Sequence, residues 1–285
     1  MRLLIEQSKA LTRRVRMNKR IGFIGSGNMG EAMIGGIIKS KLVPSGNIIV
    51  SDLDEKKLKG MADLYKVQTT TDSKEVAQKA DIIVLSVKPN IYDIVLNSIK
   101  ESLSKDKLII SIAAGKTIES METILGSDAK IVRTMPNTPA LVGEGMAGIC
   151  SNKNVAAEEL NEVKAIFESF GKAEILPEYL IDAVVGISGS APAYVFMFIE
   201  AIADAGVLEG MPRDKAYKFA AQAVLGSAKM VLESGKHPGE LKDMVCSPGG
   251  TTIEAVATLE AEGFRSAVIK AIGDCIKKSK KMGEK

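Results

Sequence analysis

Residues 21–30 read Ile-Gly-Phe-Ile-Gly-Ser-Gly-Asn-Met-Gly, a short apolar run that passes straight into G-x-G-x-x-G and then into an amphipathic stretch. In a strand–loop–helix setting each glycine has a task. Gly25 permits the tight turn, Gly27 lets the backbone approach a pyrophosphate, and Gly30 lets helix pack on strand. Ser26, Asn28 and Met29 complete the loop, and the helix N-terminus offers N–H donors to an anion. A lone motif of this form is common, but at the head of a series of βα units it points to dinucleotide binding.

Such a series follows. Arg20–Ile24, Asn47–Ser51, Ile82–Ser86, Leu108–Ile112 and Ile131–Arg133 are near-continuous Ile/Val/Leu runs, as strands covered on both faces require. Met29–Lys41, Glu55–Leu64 and Val76–Lys79 read as intervening helices, and strands near Met146–Cys150 and Ala173–Leu176 flank a helix at Ala156–Ser169. The alternation predicts a doubly wound, parallel-sheet domain over residues 19–178. After Glu178 strand signals vanish and long alanine- and methionine-rich helices take over, so residues 179–285 are read as an all-α domain. Ala193–Leu208 is apolar on nearly every side and needs burial all round. About a hundred residues make too small a core for that, so a second subunit is expected to cover it. Arg213–Ser234, entered through Pro212 and closed by Gly235, carries an apolar stripe including Ala216, Phe219, Ala220 and Ala223.

Composition excludes several classes. With 285 residues, 46% hydrophobic and 26% charged, the chain sits in the ordinary globular range. The net charge of +3 is concentrated at the start: seven basic residues against Glu6 give residues 1–20 a sum of +6, leaving −3 for the rest. An acidic body has no electrostatic footprint for nucleic acid. Residues 1–18 are read as an extension outside the fold, an upstream start or a disordered tail with Met17 as the natural beginning; an organelle presequence is the competing reading. The uncharged stretch Ala183–Ile199 is broken by Gly186, Ser188, Gly189, Ser190 and Pro192, and falls short of the ~20 helical residues that span a bilayer. It is read as a buried connection and helix start, with no membrane partner. Cys150, Cys246 and Cys275 form neither a disulfide framework nor a metal clip, which fits a reducing cytoplasm.

The chemistry-bearing segments lie where ligands of open α/β sheets bind, at carboxyl ends of strands. The second strand ends in Ser51-Asp52. An acidic side chain there accepts from a ribose 2′-OH and repels a 2′-phosphate, favouring NADH; alternatively Asp52 merely caps the next helix, and Ser51 with Lys56 or Lys57 accommodates the phosphate. Val87, Lys88 and Pro89 end the fourth strand, and Ala113 follows the fifth, with Gly115 close behind. Asn137, in the stiff loop Arg133–Ala140, is a candidate to hold polar groups at the nicotinamide edge, although the loop could equally be a plain link. The turn Ser247-Pro248-Gly249-Gly250 feeds Thr251-Thr252 and a helix N-terminus. It forms a second anion cradle, free for a substrate carboxylate, or a glycine turn with Thr251 as N-cap. The single histidine, His237, lies in a surface-type turn. Without a His/Asp pair or metal cluster, alcohol dehydrogenation is disfavoured. Reduction of C=N asks less, because a protonated imine is already electrophilic.

The ordered set GFIGSGNMGEAM, SVKP, SIAAG, RTMPNTPA, SGSAPAY and KDMVCSPGGTTIEAV, with Gly263-Phe264-Arg265-Ser266, resembles the pyrroline-5-carboxylate reductase family over about residues 19–280. The resemblance implies an α/β fold: an N-terminal Rossmann-type parallel-sheet domain followed by an all-α dimerisation domain, with the helices of two subunits interlocked and larger assemblies built from dimers. It implies reduction of 1-pyrroline-5-carboxylate to L-proline, with NADPH or NADH contacting the loop Gly25–Gly30, Val87, Lys88, Pro89 and Ala113. The substrate carboxylate maps onto the Ser247–Thr251 segment, through Ser247, Gly249, Gly250 and Thr251, and its ring nitrogen onto the hydroxyl of Thr252, the expected catalytic residue. The family commonly favours NADPH, a preference from which Asp52 departs. Two rival readings are a β-hydroxyacid dehydrogenase-type oxidoreductase, for which no catalytic Lys-Asn-type cluster follows Gly186, and a non-enzymatic nucleotide-sensing protein.

Overall fold

A computed structural model describes residues 17–283; the reading of residues 1–16 as an extension falls outside the described residues. Met17 itself belongs to the fold. It is buried, and its amide donates to the carbonyl of Leu42 at 2.9 Å, so the fold starts slightly earlier than residue 19.

Eight strands form one sheet in the order β3-β2-β1-β4-β5-β6-β7-β8. They are β1 (Ile21–Ile24), β2 (Ile48–Ser51), β3 (Gln68–Thr70), β4 (Ile82–Leu85), β5 (Leu108–Ser111), β6 (Lys130–Met135), β7 (Gly145–Ser151) and β8 (Gly171–Ile175). Helices α1 (Asn28–Ser40), α2 (Glu55–Tyr65), α3 (Ser73–Lys79), α4 (Tyr92–Ile99), α5 (Ile118–Leu125) and α6 (Ala157–Glu168) connect them. β1, β2, β4 and β5 are buried at every position, because successive residues feed opposite cores. Phe23, Val50, Val84 and Ile110 pack with Met33 and Ile37 of α1 and Phe167 of α6, while Ile24, Ile49, Ile83 and Ile109 pack with Val76 of α3, Leu96 of α4 and Met121 of α5. The expected doubly wound architecture is present.

The sheet is parallel except at one place. β7 runs antiparallel to β6, with Arg133 opposite Cys150 and Met135 opposite Gly148. The link 136–144 is a short 3-10 segment closed by Gly143 at φ 82°, too short for the crossover that a parallel pair needs.

The chain divides into two compact units, 190–275 and the remainder. The textural change at Glu178 precedes this division, because α7 (Ile181–Val184) and the following π turn at 185–189 still belong to the first unit. Ile181 is buried in the core shared by Ile131 and Cys150. The segment read as a buried connection is therefore buried only around Val185 and Gly186; beyond them Ile187, Val195, Phe196, Met197 and Phe198 are exposed. By length and composition the helical run Glu178–Leu208 contains an 18-residue window apolar enough to cross a membrane, with mean hydropathy 1.5.

The second unit holds α8 (Ala191–Leu208), α9 (Arg213–Ser234), α10 (Pro238–Val245), α11 (Thr251–Ala261) and the first part of α12 (Phe264–Gly283). α8 packs on α9 through Ala203, Ala216 and Ala220, with Ile199 and Val207 beside them. Little else in this unit is buried, and Phe196, Met197, Phe219, Leu232 and Ile269 stand exposed. Residues 276–283 of α12 return to the first unit, where the Ser279 hydroxyl donates to Asp182 Oδ1 at 2.6 Å and Met282 lies against Gly115.

Candidate active site

The glycine loop joins β1 to α1, and its three glycines sit in unlike surroundings. Gly25 adopts φ 99°, and a Cβ there would lie 2.7 Å from the carbonyl oxygen of Ser86. A Cβ on Gly30 would meet the Gly25 carbonyl at 2.9 Å and Ser86 Oγ at 3.0 Å. A Cβ on Gly27 would meet nothing within 4 Å. Two glycines are thus demanded by the protein itself, while the third leaves a face open. Gly27 is also the N-cap of α1 and supplies no side-chain cap, so the first N–H groups of the helix face the same opening. This is a cradle that fits a pyrophosphate. Ser86, at the end of β4 and far from the loop in sequence, donates its hydroxyl to the Gly25 carbonyl at 2.6 Å and fixes the loop from below.

The exit of β2 separates the two readings of Ser51-Asp52. Ser51 is buried: its hydroxyl lies 3.2 Å from that of Ser73, and only its carbonyl reaches the loop, accepting the Gly25 amide at 2.8 Å. Asp52 is not the helix cap either. Asp54 is, accepting from the amides of Lys56 and Lys57. Asp52 turns to the glycine loop instead: its Oδ2 accepts the amide of Ser26 at 2.8 Å and the hydroxyl of Ser26 at 2.7 Å, and its Oδ1 accepts the amide of Asp54 at 3.0 Å. Burial opposes ionisation of this carboxyl, but the Ser26 bonds, the Asp54 amide and the Lys57 charge together hold it below the ordinary carboxylate range. Ser26, Gly27, Asn28, Glu31 and Lys57 line one open cleft there.

Val87 is half-buried behind the loop; Lys88 and Pro89 are exposed and open a short 3-10 turn whose Lys88 carbonyl accepts from Ile91. Ala113 is buried, its amide 3.3 Å from Ser111 Oγ. Asn137, expected at the nicotinamide edge or in a plain link, ties its own loop to two other segments. Its Nδ2 donates to the Ser188 carbonyl at 3.0 Å and its Oδ1 accepts from the Met146 amide at 2.8 Å, so both ends of the amide hold the loop in place. Nearby, the buried Arg133 guanidinium donates to Glu178 Oε1 at 3.0 Å and lies 3.8 Å from Asp182 Oδ1. Cys150, behind it, is a buried structural thiol: desolvation and the Glu178 charge push it up to about 12.

In the second unit, α10 ends at Cys246 and the chain turns through Ser247–Gly250. The Gly250 amide closes the turn on the Ser247 carbonyl at 3.0 Å, with Gly249 at φ 65° after Pro248, the pattern of a type II turn. A Cβ on Gly250 would collide with the Ser247 hydroxyl. The N-cap of α11 is Gly250 rather than Thr251, and it provides no side-chain cap. Thr251 and Thr252 are therefore the first two helical residues, Thr251 exposed and Thr252 half-buried. The turn gathers Ser247, Gly249, Gly250, Thr251 and Thr252 around one uncapped helix end. His237 caps α10 through Nδ1, which accepts from the Gly239 amide at 3.1 Å, in keeping with a surface-turn role. Among the described residues no group of His, Cys, Asp or Glu is arranged to hold a metal ion.

A doubly wound sheet with this loop at its head, followed by a helical unit, places the chain in the dinucleotide-binding class of two-domain α/β proteins. Residues 20–115 match the family model described as NADP oxidoreductase, coenzyme F420-dependent, and residues 178–282 match the one described as pyrroline-5-carboxylate reductase dimerisation. The pyrroline-5-carboxylate reductase of Escherichia coli (strain K12) is 56% identical over 268 residues, covering 94% of this chain and 100% of that protein. That of Methanosarcina acetivorans is 46% identical, covering 94% of this chain and 99% of that one. A crystal structure of Plasmodium falciparum pyrroline carboxylate reductase, described with NADP bound, superposes with a TM-score of 0.86 at 39% identity, covering 94% of this chain and 99% of that one. The chain belongs to the pyrroline-5-carboxylate reductase family.

Proposed function

We propose that the protein reduces 1-pyrroline-5-carboxylate to L-proline, the last step of proline synthesis, using NAD(P)H. The observation that carries this reading is the 56% identity across 94% of the chain, both units included. NAD(P)H supplies the hydride. The loop Gly25–Gly30 is assigned the pyrophosphate, with Val87, Lys88, Pro89 and Ala113 at the neighbouring strand ends. On the second unit the uncapped N–H groups of α11, with Ser247 and Thr251, are assigned the substrate carboxylate, since that helix end favours negative charge. Thr252 Oγ1 is assigned the ring nitrogen. The imine reacts in its protonated form, so hydride at its carbon sends the C=N π pair to nitrogen as a lone pair and no further proton is needed; the Thr252 hydroxyl orients the ring and donates to that lone pair as it develops.

Replacing Thr252 by Ala tests the catalytic role. Loss of a donor whose bond strengthens in the transition state lowers kcat by on the order of a hundredfold, read from coenzyme absorbance; unchanged kinetics would refute it. If wild-type protein oxidised neither NADH nor NADPH on addition of 1-pyrroline-5-carboxylate, the function itself would be refuted.

The helical unit is proposed to be covered by a second copy of the chain, not by a bilayer or nucleic acid. The support is the match of residues 178–282 to a dimerisation model and the exposed apolar side chains of α8, α9 and α12. Assemblies of such dimers extend the same proposal. A reducing cytoplasm suits the three free thiols of Cys150, Cys246 and Cys275.

A further inference from the structure

A carboxylate offers about four acceptor positions, and three of those on Asp52 are engaged, by the Ser26 amide, the Ser26 hydroxyl and the Asp54 amide. One position remains, at the exit of β2, where the adenosine ribose of a dinucleotide lies when the glycine loop holds its phosphates. The same contacts describe an anion site seen from the other side. Two donors of Ser26 converge on Oδ2, and Lys57 stands close enough to favour the charge. Ser51, the other residue read as able to accept a 2′-phosphate, is buried and paired with Ser73.

We propose that Asp52 makes this chain prefer NADH to NADPH by filling, with its own carboxylate, a small anion site built from Ser26 and Lys57 that a 2′-phosphate would otherwise occupy. The inference rests on the dinucleotide reading above and adds its selectivity. A ribose 2′-OH donates to the one remaining lone pair. A 2′-phosphate instead meets a fixed negative charge and finds both Ser26 donors taken. Removing the carboxylate therefore does more than abolish repulsion: it releases two donors and a cation for the phosphate.

The test is direct binding without substrate, by calorimetric titration of the wild-type protein with NADH and with NADPH. NADH binds at least about tenfold more tightly, as like-charge juxtaposition in a partly desolvated cleft demands. In Asp52→Ser the ratio reverses, with NADPH affinity rising by about tenfold or more, and adding Ser26→Ala takes back part of that gain. Asp52→Asn, which keeps the shape, moves the ratio the same way and serves if the serine variant is unstable. Equal or tighter binding of NADPH by the wild type overturns the inference, as does a ratio that neither variant moves. If neither coenzyme binds, the dinucleotide reading falls with it. If both bind but 1-pyrroline-5-carboxylate is not reduced, the function falls while the measured ratio still judges the inference.

Discussion

Gly25 and Gly27 carry the same residue type for opposite reasons, and substitution separates them. Gly25→Ala forces a side chain onto φ 99° and against the Ser86 carbonyl, and is expected to lower stability by about 1–3 kcal/mol in urea unfolding. Gly27→Ala meets no protein atom, so its unfolding midpoint stays near wild type while coenzyme affinity falls, because in the proposed binding mode the methyl occupies the face assigned to the pyrophosphate. Asp52 adds a pH signature. Its folded pKa lies below the unfolded value, so its contribution to stability is complete above the ordinary carboxylate range and is lost as pH falls through the folded pKa. Urea unfolding of wild type and Asp52→Asn should therefore differ at neutral pH and converge in acid. The glycine spacing was legible in sequence because part of its constraint is local, Gly25 at φ 99° and Gly30 against the Gly25 carbonyl, whereas the Ser86 contacts come from the end of β4. The role of Asn137 was not: its partners, the Met146 amide and the Ser188 carbonyl, are brought to it only by the folded chain.

Among the elements, strands buried on both faces announced themselves, since β1, β2, β4 and β5 are unbroken apolar runs. β3 did not. Gln68–Thr70 is a polar edge strand with no burial to record. The reversal of β7 was written in the shortness of the link 136–144 and its prolines, a signal about connection length that strand composition does not carry. The cap of α2 is likewise local: Asp54, two residues past Asp52, accepts from the amides of Lys56 and Lys57. Asp54→Ala should cost about 1 kcal/mol in urea unfolding, the worth of a lost N-cap. Coenzyme selectivity should survive it better than it survives Asp52→Ser.

For the whole molecule, the unfilled helical unit is the property most readily tested. Within it, α8 and α9 bury only small alanines fully, whereas Phe196 is 64% exposed and Phe219 is 69% exposed. Phe196→Asp should raise the dissociation constant of the oligomer by about tenfold or more in sedimentation equilibrium, since the proposed contact face then carries a charge in place of an aromatic side chain. An unchanged mass would argue against that face as the contact. The need for a partner was legible from the all-round apolarity of Ala193–Leu208; the return of α12 was not, because its Ser279 and Met282 look like any residues on a basic helix. Through Ser279 on Asp182 and Met282 against Gly115, the strand-built unit owns both flanks of the helical one. Topologically the helical unit is an insertion. Recombination that exchanged it for another would have to match two splice points at once, and a gene fragment ending before Ile276 would encode the nucleotide-type domain without its closing piece.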